Sequence, residues 1–325
     1  MQAELIKRAC ELLEDGTVNR VLGWQKGQFV YDITPAVFTS AEDVRSHFVY
    51  NDFCADNLSK YLIKESEKEG KVLAFLKPCD TYSFNQLETE HKLHRENIYV
   101  IGIPSYGKAD IEKLRARGID GITDIENENG TLKITTIYGE ETVPAYEVML
   151  DKCLACKSKK HVVYDELIGE DGDVVPDSGR FDLVEKLDRM SAKERFEFWR
   201  GELSRCIRCN ACRNVCPACT CEKCVFDNPA SGVQNRGARD SFEENMFHII
   251  RAYHVAGRCT DCGECSRVCP EHIPLHLLNR KFIKDFNDLY GEFQAGAEVG
   301  QMSPMCAYTQ DQDAEPSVVQ KGGAE

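Results

Sequence analysis

Cys206-Ile-Arg-Cys209-Asn-Ala-Cys212-Arg-Asn-Val-Cys216-Pro217 and Cys259-Thr-Asp-Cys262-Gly-Glu-Cys265-Ser-Arg-Val-Cys269-Pro270 follow one pattern, C-x-x-C-x-x-C-x-x-x-C-P, twice in one chain. Two-residue gaps let a tight loop present three thiolates to one iron-sulfur cube. The three-residue gap then turns the chain away, and proline stops a helix from running back through the loop. In this spacing the fourth cysteine reaches the other cluster. The pattern predicts one 4Fe-4S cluster on Cys206, Cys209, Cys212 and Cys269, and another on Cys259, Cys262, Cys265 and Cys216. Structural zinc also uses C-x-x-C pairs, but it needs only four ligands and fits two runs of four poorly. Disulfides fit less well still. A chain built this way is expected to carry electrons.

Composition agrees. The chain has 325 residues, enough for two domains, with a net charge of −14 and 17 cysteines. The negative charge argues against a nucleic-acid binder. No apolar run approaches the roughly 18 residues of a membrane span. Met1-Gln2-Ala3-Glu4-Leu5-Ile6-Lys7 lacks the basic start and apolar core of a signal peptide. A reduced, cytoplasmic and anaerobic setting is the expectation.

Three segments are predicted: an α/β domain over 1–190, a mainly helical dicluster domain over 191–290, and a flexible tail over 291–325. In the first, Leu5, Ile6, Ala9, Leu12 and Leu13 make one helical stripe ending at Glu14-Asp15-Gly16. Lys71–Leu76 and Asn97–Pro104 are short apolar runs bounded by Gly or Pro, read as buried strands. Helical stretches near 56–68, 83–91 and 109–117 alternate with them, the pattern of a mostly parallel sheet with helices packed on it. Thr131–Tyr138 alternates more strictly and pairs as a hairpin with Thr142–Met149. In the second segment, Ser191-Ala-Lys-Glu194 reads as a capping box opening a helix through Phe196, Phe198 and Trp199. Ser241–Ala256 reads as a helix with Phe242, Met246, Ile249, Ile250 and Tyr253 inward. Pro274–Tyr290 reads as a closing helix carrying Leu277, Leu278, Phe282 and Phe286 on one face.

Nine cysteines remain. Cys54 and Cys79 are single, and Cys153 and Cys156 form a C-x-x-C. Cys79 follows a strand, where open α/β sheets put binding groups. Together the four supply the thiolates of a third cluster; equally, Cys54 and Cys79 are small buried hydrophobes and the pair a redox dithiol. Cys219, Cys221 and Cys224 are three thiolates, one short of a cube. They complete a site elsewhere, replace one of the ligands above, or are plain buried thiols. Cys10 and Cys306 are bystanders.

Asn57-Leu58, Lys77-Pro78-Cys79-Asp80, Arg95-Glu96-Asn97-Ile98-Tyr99-Val100-Ile101-Gly102 and Cys153-x-x-Cys156 with Tyr164-Asp165-Glu166-x-x-Gly169 resemble one family. It is that of the beta subunits of deazaflavin-coenzyme-reducing hydrogenases and formate dehydrogenases. The cysteine runs with Cys216-Pro-Ala-Cys219-Thr-Cys221 are similar to the anaerobic sulfite reductase A subunit and the sulfhydrogenase beta subunit. The resemblance covers roughly 1–290. It implies an electron-transfer subunit of a multi-subunit anaerobic oxidoreductase, with catalytic and flavin- or iron-sulfur-bearing subunits as partners. It also favours the third cluster on Cys54, Cys79, Cys153 and Cys156. Many relatives have a cysteine after Gly-Ile-Pro where this chain has Ser105. Some bind FAD and reduce a deazaflavin; no G-x-G-x-x-G fingerprint supports a nucleotide site here independently.

Arg205, Arg208 and Arg213 flank the first run, and Asp261 and Glu264 sit in the second. Positive charge raises a cluster's potential and negative charge lowers it. The charges put the higher potential on the first cluster, unless the arginines merely pair with surface carboxylates. His91 and His94 stand on an exposed helix face rather than as a metal pair. Two functional classes follow: a relay between a catalytic subunit and a redox partner, or a flavin-binding catalytic subunit fed by its own clusters. A free-standing ferredoxin leaves the first 190 residues without a purpose.

Overall fold

The computed structural model describes residues 1–157, 159–173, 179–228, 230 and 241–306. The part of the tail beyond 306, expected to be flexible, lies outside the described residues.

The first helix, α1 (Gln2–Glu14), buries Leu5, Ala9, Cys10 and Leu12 as its stripe requires. Strands β1 (Arg20–Lys26) and β2 (Ile33–Phe38) form an antiparallel hairpin. Sequence reading missed it because Gly23 and Pro35 interrupt both strand patterns. Gly23 is required by packing: a Cβ there would meet the Phe48 ring at 2.4 Å. After α2 (Ala41–His47), a 3-10 turn and α3 (Leu62–Ser66), β3 (Val72–Leu76) is buried at every residue. It leads into α4 (Pro78–Thr89), and β4 (Ile98–Gly102) follows. Together with the short β8 (Glu166–Leu167), these strands form a sheet of order β2-β1-β3-β4-β8. The β1–β3, β3–β4 and β4–β8 pairings are parallel. The sheet is therefore mixed: the expected parallel body carries an antiparallel edge strand.

Helix α5 (Ile111–Ala116) packs on a second sheet, an antiparallel meander of β5 (Ile122–Glu128), β6 (Thr131–Thr136) and β7 (Gly139–Pro144). A β6–β7 hairpin forms as expected, but its second strand is Gly139–Pro144 rather than Thr142–Met149, since Ala145–Glu147 turns as a 3-10 helix. Strict alternation of buried and exposed residues in β6 explains why that strand was legible. Strand β5, polar on its outer face, was not anticipated. Helix α6 (Asp151–Leu154) follows.

From residue 182 onward the described elements are α7 (Asp182–Asp188), α8 (Ala192–Leu203), α9 (Ala211–Asn214), α10 (Ser241–His254), α11 (Glu264–Arg267) and α12 (Leu275–Tyr290). The Ser191–Glu194 capping box opens α8, each side chain bonding the other's backbone N–H. Apolar packing differs between the two halves. One large core holds the first sheet, whereas the second half has small clusters in which Cys212, Cys216, Cys265 and Cys269 are themselves core residues.

Residues 291–306 do not hang free. Phe293 and Ala295 are buried, and the Gly300 N–H donates to Thr89 on α4. Gly296, at φ +75°, lies so close to α4 that a Cβ would meet the Tyr82 carbonyl. Overpacking of this kind costs about 1–3 kcal/mol. Gly296→Ala is therefore expected to lift this stretch off α4. Limited proteolysis within 291–306 should accelerate several-fold, while circular dichroism of the remainder stays unchanged.

Candidate iron-sulfur centres

The two cysteine runs adopt one backbone course. In the first, the second and fourth residues after the leading cysteine, Arg208 and Asn210, have left-handed φ of 55° and 64°. In the second, Asp261 and Gly263 occupy the same places at 60° and 69°. A helical turn then follows in each, α9 and α11. Left-handed backbone costs a non-glycine residue roughly 1–2 kcal/mol, and here it wraps the loop. The wrapping aims the Arg208 N–H at the Cys206 sulfur, 3.4 Å away, and the Asp261 N–H at Cys259.

Each loop encloses a cavity. Cys206, Cys209, Cys212 and Cys269 line one, with Phe247, His248 and Ile273. Cys259, Cys262, Cys265 and Cys216 line another, with His276 and Asn279. The fourth cysteine of each run thus faces the cavity of the other. Burial pushes the Cys212 thiol up, Cys265 up to about 12, and Cys259 and Cys262 upward as well. Each cavity is lined by four cysteines, and thiolates are the ligands that iron-sulfur clusters use. The donor sets fit such clusters.

Helix α10 runs past both cavities. Of the apolar residues expected to face inward, Ile250 is partly buried against the neighbouring apolar cluster, whereas Met246, Ile249 and Tyr253 are exposed. The Phe242 side chain lies outside the described residues. The buried stripe is Phe247, His248, Arg251, Ala252 and Val255. A periodicity read from apolar residues alone misses a face whose partners are sulfur atoms. His248 Nε2 lies 3.2 Å from the Cys206 sulfur, and burial drives its pKa down to about 3, so the ring is neutral. On α12, Asn279 donates to the Cys265 sulfur at 3.8 Å.

The charges expected to separate the two clusters have other partners. Arg205 pairs with Glu202 and Arg213 with Asp227, while Arg208 lies over the Phe247 ring at 4.3 Å. In the second run, Asp261 is gripped by Arg180 at 2.7 Å and Arg280 at 3.0 Å. Glu264, fully buried, meets Arg267 at 2.7 Å and Lys152; these cations hold its carboxyl well below the usual range.

That last network ties the halves together. Lys152 donates to Ala55 O at 2.8 Å, Arg267 pairs with Asp56 at 2.6 Å, and Lys77 donates to Asp56 O at 2.6 Å. Ser83 on α4 bonds Thr260 at 2.9 Å, and Arg258 pairs with Glu90. The second run is therefore set against the carboxyl end of β3. Cys79, at the start of α4, lies within electrostatic reach of Cys156 and Lys152, and Lys152 within that of Cys153. Cys54 differs: it is fully buried, and its sulfur lies against the Val49 carbonyl and the Asn51 amide. Burial pushes this thiol up to about 11.

Among the other cysteines, the Cys219 thiol donates to Cys216, whose pKa falls to about 6. Cys224 bonds Arg213, and Cys221 and Cys306 are exposed. Cys10 sits in the core of the first half with its sulfur 3.5 Å from Ala41 O. His91 and His94 are exposed, as expected. An open groove runs between the halves. Tyr31, Phe53, Lys152, Arg267 and His276 are among its walls. His276 faces both this groove and the second cavity.

Against known proteins, residues 202–273 match the family described as 4Fe-4S dicluster domain. The chain carries two cluster loops of that kind. It is 23% identical to the F420-dependent formate dehydrogenase subunit beta of Methanocaldococcus jannaschii, over 86% of this chain and 88% of that one. It is 25% identical to the F420-dependent formate dehydrogenase 1 subunit beta of Methanococcus maripaludis, over 75% and 78%. Among solved structures it resembles a chain of the F420-reducing [NiFe] hydrogenase complex from Methanosarcina barkeri, at 15% identity and a TM-score of 0.37. That likeness covers 48% of this chain and 62% of the other. Among the described residues no helix is long and apolar enough to cross a membrane.

Breaking a buried ion pair by removing one partner costs about 3–5 kcal/mol, because the other charge stays buried. Glu264→Ala strands Lys152, which keeps only the Ala55 carbonyl, while Arg267 retains Asp56. The thermal unfolding midpoint should fall markedly. The exposed Glu202→Ala, facing Arg205, should leave it nearly unchanged.

Proposed function

We propose that this chain is an iron-sulfur electron-transfer subunit of a cytoplasmic, anaerobic oxidoreductase complex. It relays single electrons between a catalytic subunit and a flavin- or cluster-bearing partner. The observation that carries the reading is the crossed pair of cysteine-lined cavities, Cys206, Cys209, Cys212 and Cys269 around one and Cys259, Cys262, Cys265 and Cys216 around the other. Their relatives over most of the chain are formate dehydrogenase beta subunits. When bound, 4Fe-4S clusters supply reversible one-electron storage. The chain's own residues do the rest. The cysteines hold the two sites side by side, backbone N–H groups and His248 bond sulfur, and apolar side chains such as Phe247 and Ile273 exclude water from the first site. The second half is taken as a mainly helical dicluster domain, with the α/β region docked on its second loop.

A third cluster on Cys54, Cys79, Cys153 and Cys156 belongs to the same reading. The grouping of Cys79, Cys153 and Cys156 around Lys152 supports it, and Cys54 completes the set only by turning its sulfur away from Val49 and Asn51. The second reading, a flavin-binding catalytic subunit, is favoured by one feature. The open groove beside the second cavity has the aromatic residues Tyr31 and Phe53 on its wall, as a site for a planar ligand would.

Iron, acid-labile sulfide and flavin on anaerobically purified protein test both. About eight irons mean two clusters, and about twelve mean three. Cys79→Ser then removes about four irons only if the third cluster exists. Bound flavin moves the chain to the second reading. Fewer than about eight irons after reconstitution overturns the relay.

Crossing predicts a specific exchange. Cys269→Ser should damage the electron paramagnetic resonance signal of the cluster on the first loop, and Cys216→Ser that of the second. If each variant instead damages the cluster of its own run, the crossed assignment is wrong.

A further inference from the structure

Arg251 is the buried cation that none of the above explains. Its side chain is 2% exposed, on the inward face of α10 between His248 and Val255. Among the described residues, all three of its guanidinium nitrogens lack a hydrogen-bonding oxygen or nitrogen. A guanidinium does not deprotonate in a protein, so the positive charge stays. An unpaired buried charge costs several kcal/mol, and a fold retains one only where an opposite charge answers it. The opposite groups within reach are sulfur. Cys265 comes first, followed by Cys212, Cys216 and Cys219. Cys212 lines the first cavity; Cys265 and Cys216 line the second. The same guanidinium is therefore within electrostatic reach of ligands of both sets.

We propose that Arg251 is the shared counter-ion of the two clusters, a fixed positive charge between the cavities that raises the reduction potential of both. This rests on the relay reading above. A cubane held by four thiolates gains one electron and one negative charge on reduction, with no proton required. A cation buried beside both sites stabilises the reduced state of each, and in a dry interior water screens it little. Arg205, Arg208 and Arg213, which sequence alone nominates, do not have this position: two pair with carboxylates and one covers an aromatic ring. Arg251 lies 35 residues beyond Cys216 and eight before Cys259, outside either run, and only the packing of α10 brings it to both.

The test is a spectroscopically monitored redox titration of the full chain, purified without oxygen, for wild type, Arg251→Lys, Arg251→Gln and Arg251→Met. Both one-electron waves of the Met and Gln variants should move to lower potential by at least about 59 mV, the one-electron equivalent of a tenfold change in equilibrium. Arg251→Lys, which keeps the charge, should lie near wild type. If the neutral variants fail to retain iron while Arg251→Lys retains about eight, the charge is needed to hold both clusters, and the proposal stands through occupancy. It is overturned if a neutral variant keeps its iron and either wave stays in place. It is also overturned if Arg251→Lys shifts as far as Arg251→Met, or if Arg251→Lys alone cannot hold iron, since shape rather than charge would then matter. A wild-type protein that holds fewer than about eight irons after reconstitution defeats the relay reading itself, a result distinct from all of these.

Discussion

Exchange of the fourth cysteine between the two runs is the constraint on which the second half of the molecule depends. Cys269 closes the first cavity and Cys216 the second, so neither loop is complete without the other. The apolar clusters there are small and built partly from cysteine. A region with so little hydrocarbon core gains its cohesion from what the cysteines bind, and metal binding and folding become one event. The repeated left-handed residues at 208 and 210, and again at 261 and 263, agree with this. Backbone strain of that kind persists only where the surroundings over-determine it.

One divergence between the two loops falls where the first half of the chain meets the second. At the fourth place after the leading cysteine, the first run has Asn210 and the second Gly263, both left-handed. A Cβ on Gly263 would meet the Cβ of Lys152 at 2.4 Å. Asparagine tolerates the backbone but not the contact. Close approach of α6 thus explains the glycine, and the same approach seats Lys152 on Glu264 and carries Cys153 and Cys156 toward the second loop. One packing contact therefore links a residue choice in the loop to the placement of the N-terminal thiols.

Legibility followed chemistry that is local in sequence. The cysteine spacing, the capping box at Ser191 and the alternation of β6 each specify structure through neighbours a few residues apart, and the capping box and the alternating strand are present as read. What was missed is specified by distant partners. Gly23 and Pro35 disguise β1 and β2, whose pairing depends on Phe48 arriving from α2. The inward face of α10 carries His248 and Arg251 because sulfur, not hydrocarbon, lies opposite. A pair of polar residues three apart, between two cysteine runs, was the available signal. The partners of Asp261 come from residues 180 and 280, separations at which no spacing argument reaches.

Those distant partners change the electrostatics most. Read along the chain, the first loop is basic and the second acidic. In space, Arg205, Arg208 and Arg213 share the first site with Glu202, Asp227 and Glu271, three charges against three. Around the second, Lys152, Arg180, Arg267 and Arg280 face Asp56, Asp261 and Glu264, four against three. The expected asymmetry shrinks to a single charge and reverses sign. It offers no ground for placing the higher potential on the first loop. If Arg251 answers the sulfurs of both sites, its field is common to the two rather than a step between them, and the slope is left to whatever docks at each end.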